Sequence, residues 1–405
     1  MKKTVFLFFI VGVFGLFAGA LQDAIDQAAP GAKLSLPAGR FKGPVEISKP
    51  LIIEGKGKNT VIEGTGSGSV VHIDASHVTL RNLSIRNSGR QRYRLDSAIV
   101  VNRAKDVTVE KCTLQDVLFG IILNDTEEST LRGNTIISYR EDVADNRGDG
   151  IRLWASHHNL ITGNHLKNGR DLSLTRSNHN VIEDNEIQYG RYGVLLQMCH
   201  AITLRHNRIT ANDVGVLCRG SNHVHIEDNT IVKTFLATGT GVMLIGGKEL
   251  YVQHNTVMKH AQAFYIDATA KNRKMKRFIE HNRIALNNEA FHFHADIANN
   301  TIRCNTVDGN LFDVVKDIRS APIMHNVIAL NYWDQYQGFD RDHDGIGDTP
   351  YQVLLYADRL WQFAPHLKFF YGTPLLSVVN FIEKVAPFSA PVLLLEDREP
   401  KREPY

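Results

Sequence analysis

The stretch Val181–Ile231, VIEDNEIQYGRYGVLLQMCHAITLRHNRITANDVGVLCRGSNHVHIEDNTI, writes one sentence three times. Asn185, Asn207 and Asn229 recur at an interval of 22 residues, each two positions before an isoleucine (Ile187, Ile209 and Ile231). Between them stand Gly193-Val194-Leu195-Leu196 and Gly215-Val216-Leu217-Cys218. A fixed period in the twenties built on short β-branched runs is the signature of a stacked solenoid. A unit this short has no room for helices with their own loops, so its brief apolar runs read as strands. Three strands per coil make an all-β, parallel β-helix, expected to be right-handed from the general chirality of parallel β connections.

The asparagine position extends through Asn82, Cys112, Asn134 and Asn164 on one side and Asn255, Asn282, Asn305 and Asn326 on the other, which gives about eleven coils stacked at ~4.8 Å. Longer intervals carry polar insertions such as Tyr139 to Arg147, read as surface loops on one rung. An interior asparagine at a corner can hydrogen-bond backbone groups of the coils on either side. Ser156, Ser177, Cys199 and Ser221, each eight residues before an asparagine, mark a second interior column. Cys199 then reads as a small filler, Cys112 as a replaced asparagine and Cys218 as a core residue. The four cysteines are scattered and imply no disulfide framework.

The rest of the chain organises around the repeat. Met1–Ala20 has Lys2 and Lys3, an apolar run from Val5 to Phe17 and a small Ala18-Gly19-Ala20 end, the pattern of a cleavable secretory signal peptide. The run is short for a membrane span and no second one follows. No cysteine follows the cleavage site to carry a lipid anchor. Residues 21–64 are expected to form an N-terminal cap and the first coils, with an amphipathic helix over Leu21–Ala29 as the lid. Residues 65–330 carry the repeats, 331–353 an Asp-rich loop, and 354–405 a C-terminal cap and tail. In that last segment Pro374–Val385 reads as an apolar amphipathic helix, most simply the C-terminal cap and alternatively an element held next to a membrane partner, and Glu396–Tyr405 as a mobile charged tail. The net charge of +3 falls to about +1 without the two signal-peptide lysines, which argues against a nucleic-acid partner.

Several groups of residues could carry chemistry. The position before each ladder asparagine reads Asp184, His206, Asp228, His254, His281, Cys304 and His325, a column in which imidazole and thiolate neighbours could share copper or zinc, unless polar turn positions of the repeat simply accept His and Asp. A second group comprises His158, His179 and His223, with His200 and Met198 beside it. A third comprises His292 and His294, expected on one outward strand face with Asp267 and Asp313 on neighbouring rungs. Asp340, Asp342, Asp344, Gly345 and Asp348 spell D-x-D-x-D-G-x-x-D, alternate carboxylates around a glycine turn that suit Ca²⁺, the alternative being an Asx-turn loop that holds itself together without metal. The EF-hand pattern is incomplete, since Tyr351 stands where a bidentate Glu would close the loop. Leu195, Leu217, Met243, Ile245 and Tyr265 are expected to line up as an outward apolar strip, either a partner surface or a face covered by a loop or the C-terminal tail. Arg152, Asp149, His292 and Tyr265 could be assembled into a polysaccharide-cleaving or epimerising site. The apolar strip between Arg152 and Tyr265 is not what a uronan groove requires, and no Ser–His–Asp order, phosphate loop or Cys-x-x-Cys is present.

Four segments together resemble the NosD family: LQDAIDQAAPGAKLSLPAGRFKGPVEISKPLIIEG at the start, the N-x-I repeat, NYWDQYQGFDRDHDGIGDTPY, and YGTPLLSVVNFIEKVAPFSAPVLLLEDREP at the end. The resemblance covers essentially the whole mature chain, and the segment after the Asp-rich loop is its discriminating part. It implies a periplasmic β-helix protein, not an enzyme, that is peripheral to the inner membrane through its partner. The implied partners are an ABC-type transporter, nitrous oxide reductase and a copper chaperone, with copper as a transient cargo and a role in assembling the copper–sulfur centre. The family supplies no strict ligand motif, so the copper candidates rest on the columns above. The runner-up of another class is a uronan epimerase or lyase.

Overall fold

The computed structural model describes residues 19–139, 146–234, 239–267, 275–294, 298–317, 326–355, 365–370, 373–385 and 392–405. Most of the expected signal peptide lies outside the described residues. Two compact units are present, one ending at Val216 and one running from Leu217 to Tyr405. Both are parallel β-helices, in which each coil adds one short strand to each of three parallel sheets.

In the first unit the first sheet contains eight strands, from Ala32–Ser35 to His200–Arg205. Coiling therefore starts before the first ladder asparagine, at residues that the asparagine count misses. The sheets stack apolar columns inward. Leu131, Ile161, Ile182 and Leu204 are in register along the first sheet, Ile136, Leu166, Ile187 and Ile209 along the second, and Leu123, Leu153, Leu174 and Leu196 along the third. All twelve are buried, and each such side chain contributes roughly 1.5–3 kcal/mol by leaving water. The N-terminal helix spans Ala20–Gln27 and buries Leu21 and Ile25. Gln22 pairs with the backbone of Glu46, and Lys49 donates to Asp26 O, so the helix is fastened to the first coil as the expected lid.

The corners are held by asparagines. Asn134, Asn164 and Asn185 each donate their backbone N–H to the Oδ1 of the next ladder asparagine at 2.9–3.0 Å. Each Nδ2 donates to that same oxygen and to a backbone carbonyl one coil back, as Asn164 does to Leu131 O at 2.9 Å. Cys112 keeps the first half of this pattern through its backbone, and burial pushes its thiol up to about 12.

The second unit repeats the scheme through Asn229, Asn255, Asn282, Asn305 and Asn331; the expected last member, Asn326, instead accepts from Asn300 in another column. The ladder ends on Asp397, which is fully buried. Its Oδ2 accepts Asn331 N (3.1 Å), Asn331 Nδ2 (2.9 Å) and the indole N–H of Trp333 (3.0 Å). Asp397 closes the strand Val392–Asp397, which pairs antiparallel with Tyr351–Leu355, and Trp333 stacks on Tyr351 at 5.0 Å. This strand pair, rather than the expected helix, is the cap on the ladder. The segment expected as a mobile tail is ordered into it. Glu399 O accepts Leu330 N, Lys401 N donates to Asn331 O, and Tyr405 N donates to Thr306 Oγ1. The helix Pro374–Val385 forms, but Leu375, Val378, Phe381 and Val385 are 56–74% exposed. No described helix is long and apolar enough to cross a membrane.

A second asparagine ladder in this unit contains a histidine. Asn287 donates its N–H to Asn310 Oδ1, and its Nδ2 reaches Val257 O. One coil earlier His260 donates its own N–H to Asn287 Oδ1 and puts Nε2 3.0 Å from Ile231 O, which fixes the proton on Nε2. Burial pulls the His260 pKa down to about 4. Unfolding releases the ring to its ordinary value of 6.5. This stabilisation is therefore complete above pH 6.5 and is lost as the pH falls towards 4, by up to about tenfold in the folding equilibrium per pH unit. We expect His260→Asn to fold as well as the parent at pH 7.5 and to lose less stability between pH 6.5 and 4.5. Urea midpoints across that range check this, and parallel curves for the two proteins would refute it.

Candidate functional site

Two of the three histidine groups have a backbone cause. His206, His254, His281 and Cys304 all sit at φ 55–56°, as do Asp184 and Asp228 within a degree. His158, His179 and His223 sit at φ 52–56° in the other corner. Both columns are left-handed corner positions, where Asp, Asn, His and Gly are enriched because larger or branched side chains are strained there. His254 and His281 lie face to face, 5.1 Å between centroids and 11° apart. Tyr405 stands edge-on to His281. Its hydroxyl donates to Leu330 O, and burial, with the Cys304 thiol, raises its pKa. His158 and His179 stack similarly, and His200 meets His179 edge-on. His325 lies outside the described residues.

His292 and His294 differ. They lie on the regular strand Glu289–Phe293 and just beyond it, with no corner to explain them. His294 Nδ1 is 2.5 Å from Asp317 Oδ2, and His292 Nε2 is 3.6 Å from the same oxygen. His292 Nδ1 meets Glu289 Oε2 at 2.7 Å, with the Gln262 amide 2.9 Å away. Burial lowers the His292 pKa, but the Glu289 and Asp317 carboxylates outweigh it and hold the ring above its ordinary value. Tyr265 stacks on both rings, at 5.4 and 5.8 Å. Burial, followed by the charges of Asp317 and Asp267, raises the phenol. The result is two imidazoles facing one carboxylate oxygen, one of them oriented from behind by a second carboxylate.

The expected acidic neighbours are not the ones used. The strand Phe312–Lys316 pairs so that Val315, not Asp313, lies beside His292. Asp313 is buried and accepts the hydroxyl of Tyr351. Asp267 is also buried, bound at 2.6 Å by Arg277, itself 1% exposed. Glu289, three residues before His292, was legible as a candidate; Asp317 depends on a register that the repeat does not reveal.

The apolar strip is corrected too. Leu217 is 2% exposed and cannot serve as an outward contact. Met243, Ile245 and Tyr265 in its unit, and Leu195 in the first unit, are half-buried. Asp149 and Arg152 line a cavity of the first unit, whereas His292 and Tyr265 stack in the second.

In the Asp-rich loop, carboxylate oxygens of Asp340, Asp342 and Asp344 lie within 4.8 Å of one another, and Gly345 makes the turn at φ 80°. Asp348 is not part of this trio. It accepts Arg341 N at 2.9 Å and its own N–H donates to Phe339 O. Among the described residues this is the group of three acidic, His or Cys donors that reaches metal-site compactness.

Fold and side chains together define a parallel β-helix protein with a paired-histidine face and an exposed apolar helix. Among solved structures it is similar to the A-module of the mannuronan C-5 epimerase AlgE6 from Azotobacter vinelandii, with a TM-score of 0.56 and 16% identity over 79% of this chain and 97% of that one. It is also similar to a Family 28 exopolygalacturonase from Yersinia enterocolitica, with a TM-score of 0.50 and 12% identity over 80% and 76%. At these identities the likeness concerns the fold alone. The family described as periplasmic copper-binding protein (NosD) matches residues 137–338. A probable ABC transporter binding protein NosD from Pseudomonas aeruginosa is 27% identical over 90% of this chain and 87% of its own length. Its namesake from Stutzerimonas stutzeri is 26% identical over 93% and 90%. The chain belongs to the NosD family.

Proposed function

We propose that this protein is a periplasmic, non-enzymatic accessory subunit that carries copper and docks both an inner-membrane ABC-type transporter and nitrous oxide reductase during assembly of the copper–sulfur centre. The family description and the names of the relatives support the copper and transporter parts of this reading. The observation that carries it is the approach of His292 Nε2 and His294 Nδ1 to one Asp317 oxygen, at 3.6 and 2.5 Å, a looser set than the Asp trio and one that an ion would have to draw together. Copper is cargo here and takes the place of the proton shared by His294 and Asp317. Glu289 holds His292 Nδ1–H and leaves Nε2 free to ligate, the arrangement by which carboxylates orient metal-binding imidazoles. Nitrogen and carboxylate oxygen donors without thiolate suit Cu(II) better than Cu(I).

Copper titration of the mature protein tests this. His292→Ala/His294→Ala should weaken Cu(II) binding at least tenfold, while His254→Ala/His281→Ala leaves it unchanged. The opposite pattern would return the site to the corner column.

The helix Pro374–Val385 supplies the transporter contact in this reading, because an apolar face left in water is a docking surface waiting for a partner. Leu375→Glu/Phe381→Glu should abolish co-purification with the transporter without lowering the melting temperature. Retained co-purification removes the helix from the interface.

Asp340, Asp342 and Asp344 are assigned a structural Ca²⁺, a hard cation for an all-oxygen set. The loop is laced to the C-terminal segment by Arg402, which donates to Gly338 O at 2.6 Å. Calcium at millimolar concentration should therefore raise the melting temperature of the parent by a few degrees. It should leave Asp342→Asn unaffected, and equal melting in calcium and in chelator would exclude the site.

A further inference from the structure

The third sheet of the first unit presents a charged cavity that copper handling does not use. Arg152, Ser173 and Leu195 are in register on successive strands, and Trp154, Thr175 and Gln197 form the parallel row beside them. With the flanking turns these residues enclose about 330 Å³. The floor is a balanced ion network. Asp149, 1% exposed, accepts Arg170 Nε at 2.8 Å and the Ser173 hydroxyl at 2.7 Å. Asp171 binds Arg191 at 2.7 Å and Arg170 at 3.3 Å. Two carboxylates thus neutralise two guanidiniums. Burial and then the Asp171 charge push Asp149 towards protonation, against the pull of Arg170, the Ser173 hydroxyl and, least, Arg152. Either protonation state leaves the cavity positive.

Arg152 and Arg176 are the excess. Among the described residues no carboxylate lies within ion-pair distance of either of them, and Arg152 feels the Asp149 charge only from further off. Both instead lie over one indole, with Cζ 5.7 and 5.9 Å from the Trp154 ring centre. Two like charges held on the same ring repel, and an anion between them would remove that cost. Each guanidinium presents a planar fork of donors that matches a carboxylate or similar oxyanion. Trp154 is 42% exposed and offers a flat apolar face next to those forks. The volume is at the small end for ligand sites, enough for one ring and too small for a folded segment.

We propose that this cavity binds a small organic anion, a carboxylate or comparable oxyanion carried on a compact ring, with Arg152 and Arg176 on the charge and Trp154 against the ring. The site does not depend on the copper reading. D-glucuronate is the probe, with glucose as a ring without the charge and sulfate as a charge without the ring. Calorimetry on the mature protein should show saturable glucuronate binding that weakens in high salt, and no binding of glucose. Arg152→Gln and Arg176→Gln should each weaken glucuronate at least tenfold, while Arg205→Gln, whose side chain pairs with Glu183, changes nothing. Trp154→Ala should weaken glucuronate and spare sulfate. Arg176 is exposed, so its variant remains informative if Arg152→Gln fails to fold. Absence of glucuronate binding, or binding indifferent to both arginine substitutions, overturns the proposal. So does equal affinity for glucuronate and sulfate with no effect of Trp154→Ala.

Discussion

A tight corner in a parallel coil leaves a backbone N–H facing the next coil with no strand partner, and one amide side chain answers it. Asparagine alone among short side chains has an acceptor for that N–H and two donors, one for its neighbour in the column and one for a carbonyl behind it. Each unit therefore carries a continuous hydrogen-bonded column inside its core. The apolar stacks supply most of the driving force, but a corner that buried an unpaired amide would forfeit about 1–3 kcal/mol per coil. The column is what makes the apolar stacks compatible with sharp turns.

The same corner explains why so much of the fold could be read directly. The spacing of Asn185, Asn207 and Asn229 reports the length of a coil, and the isoleucine two positions on reports the strand that follows. It also explains a misleading signal. The residue before each asparagine must adopt a left-handed conformation, so His254 and His281 recur for backbone reasons while imitating a metal column. A histidine on a regular strand, such as His292, has no such excuse, and that contrast separates the candidate site from the corner positions.

What was not legible depends on register and on charge balance between coils. Asp317 reaches His294 only because Phe312–Lys316 pairs two residues later than the glycine pattern suggests. Leu217 alternates outward by pattern and is nevertheless buried, since alternation tells which face of a sheet a residue occupies and not whether that face is covered. The excess of Arg152 and Arg176 appears only after Asp149 and Asp171 have been assigned to Arg170 and Arg191. No one-dimensional spacing encodes that subtraction. The C-terminal helix was recognised as apolar, but its sequence does not say that its apolar side chains stay in water.

Asp397 has a meaning beyond the three hydrogen bonds at its Oδ2. An asparagine in the column both receives and passes on, so a solenoid made of identical coils has no intrinsic last member and offers its open edge to any other strand. A carboxylate receives only. By placing Asp397 where the next asparagine would stand, the chain ends the relay with a residue that has nothing to hand forward. The indole of Trp333 occupies the same oxygen. The column is thereby terminated chemically as well as covered sterically, a guard against the end-to-end self-association to which exposed β edges are prone.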